Sequence, residues 1–98
     1  MAKIKRPKIT MYTSEYCMHS RSVETFMARN NIPVKMVNID NSQSARKKVM
    51  EINDGFASVP TLVFPTGETM TEPSLRDLRA HFNIQRPSFW EHIKSLFR

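Results

Sequence analysis

Cys17 is the only cysteine in the chain, which excludes an internal disulfide and a multi-cysteine zinc site. The chemistry left to a lone thiol is nucleophilic. The alternating run Ile9-Thr10-Met11-Tyr12-Thr13 reads as a strand ending just before it, and Val23, Phe26 and Met27 share one face of a helix beginning near it. The first N–H groups of a helix lack internal partners and lie at the positive end of its dipole, so a thiolate at this junction is stabilised. The thiolate is the form that attacks a disulfide. His19, in the same turn, and Arg21, one turn along, would add positive charge if they face the sulfur, and Glu15 would oppose them. The competing reading is an inert, buried cysteine. The polar neighbours weigh against it, and spacing alone leaves the two readings balanced.

The remaining chemistry-bearing residues point elsewhere. Of the seven methionines, Met11, Met27, Met36 and Met50 fall on inward faces and read as core filling, while Met18 stands beside Cys17 as a substrate contact. The three histidines, His19, His81 and His92, show no paired metal-ligand spacing, so no metal site is expected.

The elements that must position Cys17 follow from patterning. After the first strand, Thr13-Ser14-Glu15 offer capping hydroxyls to the first helix, which Asn30-Asn31 stop. Val34 to Ile39 is a nearly continuous apolar run, suited to a buried parallel strand. Asp40 and Ser42 can cap a second helix carrying Ala45, Val49 and Ile52 inward, with Asn53-Asp54-Gly55 as its stop. Thr61 to Phe64 and Glu68 to Thr71 form a hairpin through the turn Phe64-Pro65-Thr66-Gly67. Pro73-Ser74 opens a third helix with Leu75, Leu78 and Phe82 inward. The order is β-α-β-α-β-β-α, an α/β fold with a parallel crossover followed by an antiparallel hairpin.

At 98 residues the chain is one domain, with 40% hydrophobic and 24% charged residues placing it among globular rather than disordered chains. We divide it into a basic tail (1–8), the domain (9–84) and a C-terminal amphipathic helix (87–98) with Phe89, Trp90, Ile93, Leu96 and Phe97 on one face. That helix is expected to dock on its own domain or on a second copy rather than on a membrane. Net charge is +6, but no aromatic-and-basic nucleic-acid motif accompanies the basic tail, so nucleic acid is not an expected partner. No apolar stretch follows the basic start, and no window approaches the roughly 20 apolar residues of a membrane helix. The expected location is the cytoplasm, where a free thiol persists.

The residues Met11-Tyr12-Thr13-Ser14-Glu15-Tyr16-Cys17-Met18-His19-Ser20 resemble the strand and active-site turn of glutaredoxins, with Cys-x-x-Ser in the place of Cys-x-x-Cys. Ser58-Val59-Pro60 is similar to the family's Thr-Val-Pro, whose proline is cis and sits beside the active-site sulfur. Ile32-Pro33-Val34 and Val37-Asn38-Ile39-Asp40 match the family's second strand, and Gly67 to Ser74 is nearest the mycoredoxin branch, which serves mycothiol. The resemblance spans residues 8–84. It implies a thioredoxin-like fold with a four-stranded mixed sheet, to which the C-terminal helix is an addition. It also implies thiol–disulfide exchange on thiolated or disulfide-containing proteins, with glutathione or mycothiol as co-substrate and no tightly bound cofactor.

By position the resemblance makes Cys17 the nucleophile, and Ser20 a hydrogen-bond donor to its thiolate. Tyr12 and Tyr16 flank the cleft, Arg21 is the basic residue after the motif, and Val59 and Pro60 pair with the cysteinyl part of the bound thiol. Thr71 and Glu72 stand near its γ-glutamyl end. Because position 20 is serine, no resolving thiol exists and a monothiol mechanism is expected. Two other readings are kept: a dimer bridging an iron–sulfur cluster through Cys17 and a small thiol, and a non-catalytic interaction domain using the basic surface or the C-terminal helix. Iron–sulfur glutaredoxins usually carry Gly-Phe where this chain has Met18-His19.

Overall fold

The computed structural model describes residues 8–85. In chain order the elements are β1 (Ile9–Thr13), α1 (Met18–Arg29), β2 (Val34–Asn38), α2 (Gln43–Ile52), β3 (Thr61–Val63), β4 (Thr69–Thr71) and α3 (Leu75–Phe82). The four strands form one sheet in the order β2-β1-β3-β4. β1 pairs with β2 in parallel and with β3 antiparallel, and β4 returns antiparallel to β3. Most of the basic tail and the amphipathic helix expected over 87–98 lie outside the described residues.

β1 sits between two neighbours, and its alternation assigns its side chains to two faces. Ile9 and Met11 join Val23, Phe26 and Met27 of α1, Leu62 and Phe64 of the hairpin and Leu78 of α3 in the larger core. Tyr12 instead packs on a smaller cluster of Ile39, Ala45 and Val49, with Val37, Ala57 and Val59 beside it. The sheet therefore separates an α1/α3 layer from an α2 layer. Met11, Val23, Val49, Leu62 and Leu78 are wholly buried, each contributing about 1.5–3 kcal/mol of apolar burial.

The helix ends follow their local chemistry. Ser42 caps α2 by accepting from the Ala45 N–H at 3.2 Å. At α3, Ser74 and Asp77 satisfy each other's backbone N–H groups as a capping box. Asn31, at φ +53, terminates α1, with the Ile32 N–H reaching back to the Met27 carbonyl at 2.9 Å. In the hairpin turn the Gly67 N–H donates to the Phe64 carbonyl at 2.8 Å, at a φ of +92 that glycine adopts freely.

Two expectations are corrected. β2 is an edge strand whose Lys35, Met36 and Asn38 are exposed: Val34 and Val37 reach the larger and the smaller core from its two faces, but only β1 pairs beside it. Its apolar run reflects β-propensity as much as burial. Of the four methionines read as core, Met11 and Met27 are buried, whereas Met36 on that edge and Met50 on α2 are 47% and 38% exposed.

Candidate functional site

Four residues carry the chain from β1 into α1, and they are held from a distance. The Ser14 hydroxyl donates to Asp40 Oδ1 at 2.6 Å, and the Glu15 N–H donates to Asp40 Oδ2 at 3.0 Å. The Tyr16 N–H donates to Ser14 Oγ at 3.2 Å and the Cys17 N–H to the Ser14 carbonyl at 3.2 Å. Asp40 lies just past the end of β2, where the Ile39 N–H still pairs with the Thr13 carbonyl at 3.0 Å. Its carboxylate thus clamps the turn. The Ser14 hydroxyl and then the Glu15 N–H, both donating to the charged form, hold Asp40 below its ordinary value. Asp40 was expected to share in capping α2; its oxygens are committed to the turn, and Ser42 does the capping.

Cys17 itself is the N-cap of α1. Its backbone is extended (φ −110, ψ 112), and Sγ accepts from the Ser20 N–H at 3.4 Å. The hydroxyls of Thr13 and Ser14, expected to cap this helix, are turned to Glu24 and Asp40 instead. The half-buried thiol faces Val59, donating to its carbonyl at 3.6 Å. The Val59–Pro60 peptide bond is cis, and Pro60 is fully buried. The thiol thus sits at a helix start beside a Val-cis-Pro segment on a four-stranded mixed sheet.

The family model for glutaredoxin matches residues 9–68. The chain belongs to the glutaredoxin family. It is 32% identical over 72 residues to candidate glutaredoxins of Mycobacterium tuberculosis strains CDC 1551 / Oshkosh and H37Rv, covering 74% of this chain and 86% of each relative. Among solved structures, the thioredoxin-like protein BC3987 is 26% identical with a TM-score of 0.65, over 74% of this chain and 97% of that one. A mutant of it is 25% identical with a TM-score of 0.67, over 78% and 100%. The fold is thus thioredoxin-like, and the family is one of thiol–disulfide oxidoreductases.

Within this glutaredoxin frame the structure sorts the sequence-derived residues. Tyr16 and Met18 flank Cys17 and are 89% and 79% exposed. His19 Nε2 donates to the Pro73 carbonyl at 2.7 Å, so the ring staples α1 to the approach of α3 rather than facing the sulfur. Arg21 reaches the Glu15 carbonyl at 3.4 Å, over the outside of the turn. Neither cation expected to assist the thiol is bonded to it; the donor is the backbone N–H of Ser20. The Ser20 side chain is wholly buried and its Oγ has no partner among the described residues, so the expected hydroxyl bond to the sulfur is replaced by a backbone bond. Tyr12, expected to flank the cleft, is half-buried in the α2-side packing.

Thr71 and Glu72 join the Val-cis-Pro segment through the backbone. The Glu72 N–H donates to the Pro60 carbonyl at 2.7 Å, with Glu72 in the left-handed region at φ +47. The Thr71 hydroxyl bonds Asn53 Oδ1. Asn53 in turn donates to Thr61 Oγ1 at 3.1 Å, and Thr61 donates to the Ser58 carbonyl at 2.7 Å. Asn53 was read only as a helix stop. Its bridge from α2 to both hairpin strands is a tertiary contact with no local sequence signal. Phe56, four residues before Pro60 in the chain, is 70% exposed, and no sequence pattern marks it.

Proposed function

We propose that this glutaredoxin reduces protein mixed disulfides by a monothiol mechanism at Cys17, with glutathione or mycothiol as reductant. The observation that supports it is the juxtaposition of the chain's sole thiol with a helix-start N–H donor on one side and the Val59 carbonyl on the other. The Ser20 N–H points at the sulfur from the start of α1, where backbone N–H groups lack helical partners.

In the first step the Cys17 thiolate attacks the small-thiol sulfur of a protein–S–S–R disulfide. That S–S bond breaks, the protein sulfur leaves as thiolate and takes up a proton, and Cys17–S–S–R forms. One free RSH, as its thiolate, then attacks the R sulfur, releasing RSSR and regenerating the Cys17 thiolate. The sum is protein–S–S–R + RSH giving protein–SH + RSSR, so each mixed disulfide consumes one free RSH. Ser20 supplies no second thiol, so the intramolecular route is closed. Deprotonating Cys17 also releases the Val59 carbonyl from the thiol, freeing it to accept from the backbone N–H of the bound small thiol, as an added strand does. On this reading Pro60 would wall the bound small thiol, the exposed Tyr16 and Met18 on either side of Cys17 in the chain would contact it, and Thr71 and Glu72 would meet its far end.

The test is intact mass after incubation with oxidised glutathione and with oxidised mycothiol, followed by turnover of a thiolated protein. A single adduct on Cys17, removed by the matching free thiol, is the expected result, and Cys17→Ala should turn over nothing. Full activity in Cys17→Ala would overturn the proposal.

A further inference from the structure

α1 and α3 pack side by side, and the groove between them runs on from the redox turn. Its far part is a hollow of about 340 Å³ floored by Phe26, Leu75 and Ile84, with Arg29 and Arg79 on its walls. Its near part, about 290 Å³, is lined by Met18 and Arg21. The two parts share Ser22, Thr25 and Leu75, so they are continuous. Met18 directly follows the Cys17 cap, and Arg29 ends α1. The groove therefore starts at the residue after Cys17 and follows a helix of 12 residues, or about 18 Å.

Three arginines and no acidic side chain line this groove among the described residues. Its floor is apolar. A phosphate backbone would leave that floor uncovered, whereas a peptide with apolar side chains between carboxylates would use both features. The chain's own segment 87–98 carries one acid, Glu91, against Lys94 and Arg98, so charge does not favour it as the occupant.

We propose that the α1/α3 groove docks an acidic, apolar-anchored segment of the disulfide-bearing protein partner, adjoining the cysteine delivered to Cys17. The proposal rests on the thiol–disulfide reading above and names its class of protein substrate. About six extended residues would span the groove. Apolar side chains sit on Leu75 and Ile84, and carboxylates meet Arg21 near the sulfur and Arg29 and Arg79 at the far end. Arginine suits this because its planar fork pairs two oxygens at once.

The test uses the full chain and two synthetic peptides of equal length and identical apolar residues, one with Asp and Glu flanks and one with Lys flanks, each with Ser in place of Cys. Binding is measured by calorimetry. The acidic peptide should bind and its lysine twin should not, with Arg29→Glu/Arg79→Glu weakening binding about tenfold or more. Arg29→Glu alone, at an exposed position, should weaken it at least about threefold. Lys47→Glu/Lys48→Glu makes the same charge change on α2, in the opposite layer, and should leave binding within about twofold. No binding of the acidic peptide, equal losses in the two double variants, or equal competition by an oligothymidylate would each overturn the proposal. Reduction of a small uncharged disulfide is followed in parallel. Peptide binding without any turnover sustains the groove and removes the redox reading; turnover without peptide binding removes the groove alone.

Discussion

The hydroxyl of Ser20 has no partner among the described residues, yet its backbone N–H reaches the Cys17 sulfur at 3.4 Å. Burying an unpaired hydroxyl costs about 1–3 kcal/mol, and the bond to sulfur needs only the backbone. Ser20→Ala should therefore stabilise the domain by about 1 kcal/mol, raising the melting midpoint by about 4–8 °C in a domain of this size; a fall in the midpoint would show that the hydroxyl has a partner in solution. Position 20 shows how far the residue types alone could be read. That a side chain at i+3 lies near Cys17 was legible from helix geometry. Which of its atoms makes the bond was not, since the choice depends on how the side chain is buried in the folded domain. His19 is a similar case: its proximity to Cys17 in sequence suggested charge, and its ring is spent on the Pro73 carbonyl instead.

At the scale of elements, the ionised Asp40 holds the redox turn from the end of β2. The hydrogen bonds from Ser14 and Glu15 place its folded-state value below the ordinary aspartate value of about 3.9. A carboxylate depressed on folding stabilises the fold above its unfolded value and loses that contribution as pH falls through the folded one. Thermal melts between neutral pH and the region below the ordinary carboxylate range should fall more steeply for the native protein than for Asp40→Asn, which has no such charge to lose. Asp77, lowered in the same direction by the Ser74 backbone N–H, gives the background slope common to both. Element types and order were readable from periodicity: β1 spans the alternating run, and the caps at Ser42 and Ser74 follow local rules. The Ser14–Asp40 clamp joins residues 26 apart, and no local pattern encodes such a pair. The cis proline came from resemblance to a family, not from patterning.

For the whole molecule, the sheet keeps two cores apart, and they are unequal. The α1/α3 side holds Leu62 and Leu78 at zero exposure, while the α2 side rests on Ile39, Ala45 and Val49. Leu62→Ala, at the centre of the larger core, should cost about 2–5 kcal/mol in denaturant unfolding. Met36→Thr on the exposed edge should change stability by less than about 0.5 kcal/mol. β2 was misplaced in burial because composition reports what a strand tolerates, whereas its position at the sheet edge is decided by the other three strands. The Asp40 clamp has a consequence for the chain's motions as well. Glu15 is exposed, and an exposed loop amide ordinarily trades its hydrogen for deuterium within seconds. Here that amide is bonded to the Asp40 carboxylate just past the end of β2, so it should exchange only when that bond opens. In a deuterium-exchange measurement the entrance to the redox helix should be protected along with the sheet, and acid strong enough to protonate Asp40 should release it first.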